Sequence, residues 1–159
     1  MTSKKTLLFK KIAEYLDGQL EGKTVALWGL AFKPGTDDMR EAPSRDLMEA
    51  LWEHGVTVQA YDPHAMEATQ AIYGVRDDLL LCGTKEAALQ GADILVVCTE
   101  WKPFWSPDFT HIKETLKYPV IFDGRNLYDP DRLKEQGIQY FGVGRKNSVA
   151  ELSPEAAAR

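Results

Sequence analysis

The sequence predicts a three-layer, doubly wound α/β fold with a mostly parallel sheet of about six strands, preceded by a helix. Short apolar runs alternate along the chain with segments of about ten residues that have helical periodicity. Right-handed crossovers between such strands place them in one parallel sheet with helices on both faces. With 159 residues, of which 44% are hydrophobic, the chain has the size and composition of one domain with a substantial core.

The elements follow from local patterns taken in chain order. Apolar residues recur mostly every three or four positions over residues 4–20, which predicts a helix that Gly22 breaks. The apolar run 24–30 predicts a strand covered on both faces, and Pro43 stands where the next helix begins. The same reasoning predicts helices over 43–54, 62–73, 85–90, 107–116 and 130–136, and strands over 56–61, 79–82, 93–98, 120–123 and 140–143. This arrangement is Rossmann-like.

Composition and charge exclude several classes of partner. A net charge of −5 and a pI near 5.2 argue against a nucleic-acid surface, which needs an excess of Lys and Arg on one face. The longest apolar run is far shorter than the ~20 residues that span a bilayer, so we expect no membrane anchor. Cys82 and Cys98 form no CxxC motif and are expected to be buried, reduced thiols of a cytoplasmic protein. No metal site is predicted, because no carboxylate or cysteine stands at ligand spacing from His54, His64 or His111.

The loop after the first strand, residues 29–41, is the candidate anion-binding segment, because it is too long and too charged for a plain connection. It lacks the G-x-G-x-x-G fingerprint, since only Gly29 is in place, and so does not cradle NAD in that way. If the loop folds back, Lys33 and Arg40 point inward together, and such a pair suits a diphosphate. Alternatively, both cations pair on a solvated surface with the carboxylates of the loop itself, which are Asp37, Asp38 and Glu41.

Further candidates follow other strands at the same predicted sheet edge. Gly124 allows a sharp turn after the fifth strand and aims Arg125 over the sheet edge, which favours a functional cation. Asp62 follows the second strand, where nucleotide folds bind a ribose, although an Asp-Pro pair also caps helices. The loop after the fourth strand is expected to expose three aromatic rings, which either stack on a base, close a pocket, or form a hydrophobic plug or partner surface: Trp101, Phe104 and Trp105.

Four motifs carry a resemblance to a known family. The segments GLAFKPGTDDMREAPS, AYDP, GADILVVCTEW and VIFDGRN closely resemble the C-terminal, UDP-binding domain of UDP-glucose 6-dehydrogenases, in the UDP-glucose/GDP-mannose dehydrogenase family. The first and last motifs are long and specific, whereas the other two are weak alone. The resemblance implies a leading helix over 1–22 that remains from a connection to an N-terminal part, a nucleotide-sugar-binding domain over 23–146, and a frayed tail over 147–159.

The resemblance also implies roles for single residues. Phe32 and Lys33 contact the nucleotide sugar, Arg125 contacts the substrate, and Arg40 reaches across to the NAD. Members of the family oxidise UDP-glucose to UDP-glucuronate in two NAD-dependent steps that use a cysteine. They are expected to work as homodimers in which this domain faces the N-terminal NAD-binding domain of the same enzyme. The cysteine motif and the NAD fingerprint do not occur in this sequence, so we expect no catalytic residue here and an inactive isolated chain.

Three alternative interpretations stay open. A GDP-mannose or UDP-N-acetylhexosamine dehydrogenase domain would share the cations that hold a diphosphate. An interaction module would use the three loop aromatics as a protein-binding patch, with no sugar ligand. A signalling receiver domain has the same alternation of strands and helices, but it needs an acidic pair after its first strand, where this sequence has GLAFK.

Overall fold

The computed structural model describes residues 4–143, and the predicted tail over 147–159 lies outside the described residues. Its elements, in chain order, are α1 (Lys4–Tyr15), β1 (Thr24–Trp28), α2 (Pro43–Glu53), β2 (Thr57–Tyr61), α3 (Met66–Tyr73), β3 (Leu79–Leu81), α4 (Lys85–Leu89), β4 (Ile94–Val97), a 3-10 turn (Lys102–Phe104), α5 (Phe109–Thr115), β5 (Val120–Asp123), α6 (Pro130–Glu135) and β6 (Gln139–Gly142).

The six strands form one parallel sheet in the order β3-β2-β1-β4-β5-β6, which confirms the predicted fold class. Each strand is followed by a helix or, at β6, by the end of the described residues. The chain runs outward from β1 to β3, returns to β4 beside β1, and then continues outward to β6. The strand order therefore reverses between β1 and β4, which is where open sheets of this kind form ligand clefts at their carboxyl edge.

Several element boundaries differ from the sequence-based expectation by one or more residues, and three of them have a clear local cause. Helix α1 ends at Tyr15 instead of near residue 20, because Asp17 takes a left-handed conformation (φ 54°) and the Gly18 amide closes the helix end on the Ala13 carbonyl at 2.9 Å. Strand β1 stops at Trp28, two residues early, where Gly29 turns the chain. Helix α3 begins at Met66, because a turn over residues 63–65 comes first.

Both faces of the central strands are covered, as the apolar run in β1 predicted. All four residues of β4 and of β5 are buried, and so are the last four of β1. Residues paired in register share a face of a parallel sheet, so Leu27, Val96 and Phe122 lie on one face. The next residues, among them Trp28 and Asp123, lie on the opposite face, where the Trp28 indole N–H donates to the Lys85 carbonyl of α4 at 3.0 Å.

Helix α1 covers the face that carries Phe122. Its apolar stripe includes Leu8, Ile12 and Tyr15, all buried in the same core as the sheet. The Tyr15 ring meets Phe122 edge to face at 5.7 Å between ring centroids, and its hydroxyl donates to the Gln139 side chain on β6. Burial raises the pKa of the Tyr15 hydroxyl to about 12, with a smaller contribution from Tyr118. The leading helix is therefore part of the hydrophobic core.

Candidate functional site

The loops after β1 and β4 touch at the point where the strand order reverses. A Cβ atom added to Gly29 would lie 2.5 Å from the Thr99 amide nitrogen, closer than any side chain permits. The Thr99 hydroxyl donates to the Ala31 carbonyl at 2.6 Å, and the Ser44 hydroxyl at the start of α2 donates to the Leu30 carbonyl at 2.6 Å. These contacts hold the first residues of the β1 loop rigidly against the β4 loop.

The carboxylate of Asp62 fastens three loops together. One oxygen accepts from the amides of Leu30 and Ala31 at 2.7 and 3.0 Å and from the Trp101 indole N–H at 2.9 Å. The other oxygen accepts from the amides of His64 and Ala65, both at 2.8 Å, and so closes the turn before α3. Asp62 is completely buried, and both oxygens are engaged inside the protein. The Asp-Pro pair therefore forms a turn before α3, whose cap residue is Ala65, and both Asp62 oxygens are already used by hydrogen bonds within the protein.

The β1 loop is buried over residues 29–31, and most of its later residues are exposed or half-buried. The Phe32 amide donates to the Asp38 carbonyl at 2.9 Å, which closes residues 32–38 into a compact turn. Phe32 is 43% exposed, and Lys33 is exposed and forms no ion pair with a residue in the described range 4–143. Arg40 donates to both carboxylate oxygens of Asp38 at 3.1 Å, and this hydrogen-bonded pair lowers the pKa of Asp38. The pairing interpretation of the loop charges therefore holds for Arg40, whereas Lys33 makes no ion pair within residues 4–143 and only its nearby charge acts on Asp38, further lowering the pKa of that carboxyl.

The loop after β5 is shaped by a second buried carboxylate, Asp123. One of its oxygens accepts from the Arg125 amide at 2.8 Å, and the other accepts from the Tyr140 hydroxyl at 2.8 Å and from the Leu127 amide. Asn126 takes a left-handed conformation (φ 55°) within this turn. These bonds fix the main chain at Arg125, so the loop presents its guanidinium from a rigid base.

The side chain of Arg125 pairs with Glu100, a residue that sequence analysis did not select. The Arg125 Nε donates to Glu100 Oε1 at 2.9 Å and Nη2 donates to Oε2 at 3.1 Å. The two side chains are 36% and 33% exposed. Glu100 follows Thr99 in the β4 loop, so the pair joins the β4 and β5 loops. The signal for this contact across 25 residues is the adjacency of β4 and β5 in the sheet, which the sequence analysis did not predict.

Arg125 lines a cleft of about 270 Å³ at the carboxyl edge of the sheet. The other lining residues come from α1, α2 and the loops after β4, β5 and β6: Leu8, Pro43, Cys98, Gly124, Asn126 and Val143. Cys98 is buried, as predicted, and burial raises the pKa of its thiol to about 12. It is therefore a neutral thiol in the cleft wall. Cys82, also predicted to be buried, is only half-buried because it follows the edge strand β3.

The expectation that the β4 loop exposes three aromatic rings is wrong for two of them. Trp101 is buried, because its indole N–H reaches Asp62 and its ring stacks on His64 at 4.8 Å. Phe104 is buried, because its ring stacks on Trp28 at 5.1 Å. Trp105 alone of the three is exposed, at 52%. Sequence position after a strand did not show that two of these rings fill the core.

The structure brings the predicted site residues to one sheet edge but not into one cluster. Arg125 lines the cleft, and it is connected to the β1 loop through Glu100, Thr99 and Ala31. The side chains of Phe32, Lys33 and Arg40 lie instead on the exposed part of the β1 loop. No group of three or more His, Cys, Asp or Glu side chains among residues 4–143 is arranged to hold a metal ion. Over the same range, no helix is both long and apolar enough to cross a bilayer.

The β1 loop does not fit a dinucleotide in the usual way. In NAD-binding sheets the pyrophosphate meets the N-terminus of the helix that follows the first strand directly. Here, 14 residues separate the end of β1 at Trp28 from the start of α2 at Pro43. The amides of Leu30 and Ala31, which follow Gly29, are already bound to Asp62. This edge of the domain therefore does not provide an NAD pyrophosphate site of that kind.

A doubly wound parallel sheet with a cleft at its carboxyl edge is the arrangement of the class of nucleotide-binding α/β domains. Residues 26–130 match the family described as UDP-glucose/GDP-mannose dehydrogenase family, UDP binding domain. The chain belongs to this family. The match and the expected resemblance agree, although Phe32, Lys33, Arg40 and Arg125 themselves are not tested by it.

Individual relatives agree with the family. The chain is 51% identical over 144 residues to a UDP-glucose 6-dehydrogenase of Pseudomonas aeruginosa, a match that covers 89% of this chain and 32% of that protein. Among solved structures, it resembles a UDP-glucose dehydrogenase from Pyrobaculum islandicum (30% identity, TM-score 0.73, 90% of this chain and 30% of that one). An NDP-N-acetyl-D-galactosaminuronic acid dehydrogenase from Methanosarcina mazei is also similar (26% identity, TM-score 0.73, 93% and 30%). The chain spans about a third of the length of its curated relatives.

Proposed function

We propose that this chain is the UDP-sugar-binding domain of an NAD-dependent UDP-glucose 6-dehydrogenase, which oxidises UDP-glucose to UDP-glucuronate. The observation that carries the proposal is the position of Arg125, which follows β5 and lines the cleft at the carboxyl edge of the sheet in a UDP binding domain. A guanidinium fixed at such an edge suits the oxygen-rich surface of a nucleotide sugar. The curated relatives that share the family are named UDP-glucose 6-dehydrogenases, which favours glucose as the sugar.

Within this proposal, Phe32 and Lys33 make the second part of the substrate contact. The Lys33 ammonium is exposed and forms no ion pair within residues 4–143, so no carboxylate has to be displaced before a diphosphate binds. The Phe32 ring is exposed beside it and offers an apolar surface for the ligand to cover. The closed turn 32–38 holds both side chains at the tip of one loop.

Arg40 is proposed to contact NAD that is bound by another part of the enzyme. Its side chain is 88% exposed and faces solvent from the same loop, so a second domain can reach it. NAD supplies the hydride acceptor for the oxidation. The partner would be the N-terminal NAD-binding domain of the same enzyme, and the full-length enzyme would be a homodimer. This chain contributes substrate binding and no catalytic nucleophile.

Titration of the ¹⁵N-labelled chain with UDP-glucose, followed by NMR, tests the proposed substrate site. Binding should shift the amide signals of the loops after β1 and β5, and Arg125→Ala and Lys33→Ala should each weaken it about tenfold because a charge-assisted contact is lost. Lys134→Ala provides a matched control, since this exposed lysine is in the last turn of α6, away from the cleft. Unchanged binding by both site variants would contradict the proposal.

The alternatives make different predictions in the same titration. A GDP-mannose or UDP-N-acetylhexosamine dehydrogenase domain would bind its own nucleotide sugar more tightly than UDP-glucose. The similarity to the Methanosarcina mazei enzyme makes this comparison worthwhile. An interaction module built on three exposed aromatics is disfavoured, because Trp101 and Phe104 are buried. A receiver domain is disfavoured by the family match.

A further inference from the structure

Arg125 is held by Glu100 in a side-on pair that leaves part of its guanidinium available. A guanidinium has five N–H donors, and Glu100 accepts from Nε and from one N–H of Nη2. Within residues 4–143, the other three N–H groups, two of them on Nη1, have no acceptor and remain for a ligand. Because the two bonds run parallel, they fix the plane of the guanidinium as well as its position.

Both ends of the pair rest on fixed main chain. Glu100 follows Thr99, whose hydroxyl is bonded to the Ala31 carbonyl, and its own carbonyl accepts from the Trp105 indole N–H at 3.0 Å. On the other side, the Arg125 amide is bonded to the buried carboxylate of Asp123. A flexible surface pair gains little because it loses the freedom of two long side chains, but here much of that freedom is already lost. The pair is therefore arranged to persist.

We propose that Glu100 is a positioning residue for ligand binding, which holds the Arg125 guanidinium in the orientation that the nucleotide sugar requires. This inference rests on the proposed function and adds a specific residue to it. The pair stays closed when the ligand is bound, and the remaining N–H groups of Arg125 make the contact. Orienting Arg125 before binding removes a conformational cost that binding would otherwise have to overcome.

A role for Glu100 as a competitor of the ligand predicts the opposite change in affinity when Glu100 is substituted. If the ligand's diphosphate took the place of the Glu100 carboxylate, the pair would open on binding and Glu100 would act as a competitor. Removing its charge would then strengthen binding, because a repelling anion would be lost. Substitution of Glu100 therefore separates positioning from competition by the direction of the change in affinity.

The test measures UDP-glucose dissociation constants by NMR titration for the unaltered chain, Glu100→Gln, Glu100→Asp, Arg125→Ala and the Glu100→Gln/Arg125→Ala double variant. Glu100→Gln should weaken binding about fivefold, since it keeps the shape but only one acceptor oxygen. Glu100→Asp keeps the charge and should bind with an intermediate affinity. In the Arg125→Ala background, Glu100→Gln should have no further effect, because Glu100 acts through Arg125.

A second measurement follows the pair directly. The Arg125 Nε–H signal should exchange slowly with water in the free chain and should remain protected at saturating UDP-glucose. Glu100→Gln should speed this exchange. Asp78→Asn is the matched control, because Asp78 accepts from Arg76 in the same bidentate way, at 2.7 and 3.1 Å, before β3 and away from the cleft. It should leave both the affinity and the Arg125 signal unchanged.

The outcomes separate this inference from the proposed function. Tighter binding by Glu100→Gln, or loss of Arg125 Nε–H protection on ligand binding, overturns the positioning role and supports competition. If Glu100→Gln lowers the affinity by the same factor with Arg125 present and with Arg125→Ala, Glu100 has a general structural role and the positioning role is overturned. If the unaltered chain does not bind UDP-glucose, the proposed function fails and this inference fails with it. If Arg125→Ala loses affinity while Glu100→Gln does not, only the role of Glu100 fails.

Discussion

At the scale of single residues, two buried carboxylates determine where the loops of the candidate site lie. Asp62 and Asp123 each accept from backbone amides of the loop that follows their own strand, and each also accepts from a distant aromatic side chain, Trp101 or Tyr140. A buried carboxylate needs such a full set of donors, because an unsatisfied one is costly. The main-chain amide of the exposed Arg125 is thus held by the buried carboxylate of Asp123.

Gly29 is expected to tolerate no side chain. Gly29→Ala places a Cβ atom 2.5 Å from the Thr99 amide nitrogen and forces an alanine to φ 97°, so it should lower the free energy of unfolding by about 3 kcal/mol or more. Gly35→Ala is the matched control, since Gly35 also has positive φ (86°) but faces open space, and should cost about 1 kcal/mol. Urea denaturation measures both, and equal losses would show that the close approach to Thr99 does not matter.

The two cysteines are expected to differ in reactivity. Burial raises the pKa of the Cys98 thiol to about 12, so little thiolate exists near neutral pH, while Cys82 is half-buried and accessible to reagents. Brief treatment with N-ethylmaleimide followed by mass spectrometry should give one label in the folded chain. Cys82→Ser should take up none until it is denatured, and rapid labelling of that folded variant would refute the prediction.

The same pKa shift links stability to pH. The Cys98 thiol has an ordinary pKa near 9 when unfolded and about 12 when folded, so the unfolded chain loses this proton first as the pH rises. The free energy of unfolding should therefore not depend on this thiol below about pH 9, and it should fall progressively as the pH rises from about 9 to about 12.

At the scale of secondary structure elements, α1 behaves as part of the core, although it precedes the first strand. Leu8 lines the cleft, Ile12 is fully buried, and Tyr15 contacts β5 and β6. Its apolar spacing was evident in the sequence, because a stripe at steps of three and four has one interpretation. The end of the helix was missed, although the Asp17-Gly18 pair is a local turn signal, because the apolar spacing continues past it to Leu20.

Truncating a buried side chain of α1 should destabilise the whole domain. Ile12→Ala removes a side chain with no exposed surface and should lower the free energy of unfolding by about 3 kcal/mol. Lys10→Ala on the exposed face of the same helix is the control and should change it little, since both substitutions introduce the same helix-favouring residue. Chemical denaturation with a single transition would confirm that helix and sheet unfold together. A separate, earlier transition for α1 would contradict it.

At the scale of the whole molecule, the alternation of strands and helices was enough to predict the sheet, and the cleft lies at the edge where a candidate site was expected. The chemistry at that edge was only partly predictable. Arg125 was found because it follows a strand and a glycine, but its partner Glu100 was not, because a contact between two loops requires the tertiary structure. Trp101 was expected to be exposed for the same reason, since its partner Asp62 lies 39 residues away. Local patterns predict elements, whereas side-chain partners depend on how the strands are ordered.

The absence of a helix directly after β1 predicts selectivity between ligands. The chain should bind UDP-glucose in the NMR titration but show no saturable shifts with NAD at the amides of residues 29–31, because two of those amides are bonded to Asp62. UDP-glucose added in excess to the same sample after NAD is the internal positive control, because it should still shift the amide signals of the site. Saturable NAD shifts at these amides would contradict this prediction.

The bond between Thr99 and Ala31 has a consequence for folding. It joins segments 68 residues apart, and the Trp101–Asp62 and Arg125–Glu100 contacts add two further non-local links at the same edge. Contacts between distant segments form late in folding, because the entropic cost of closing a long loop must be met before such contacts can stabilise the fold. The ligand-binding edge therefore assembles only when β1 and β4 are already side by side. A nascent chain released before β4 is made would keep the bonds from Leu30 and Ala31 to Asp62, but it would lack every contact that Thr99, Glu100 and Arg125 make at this edge.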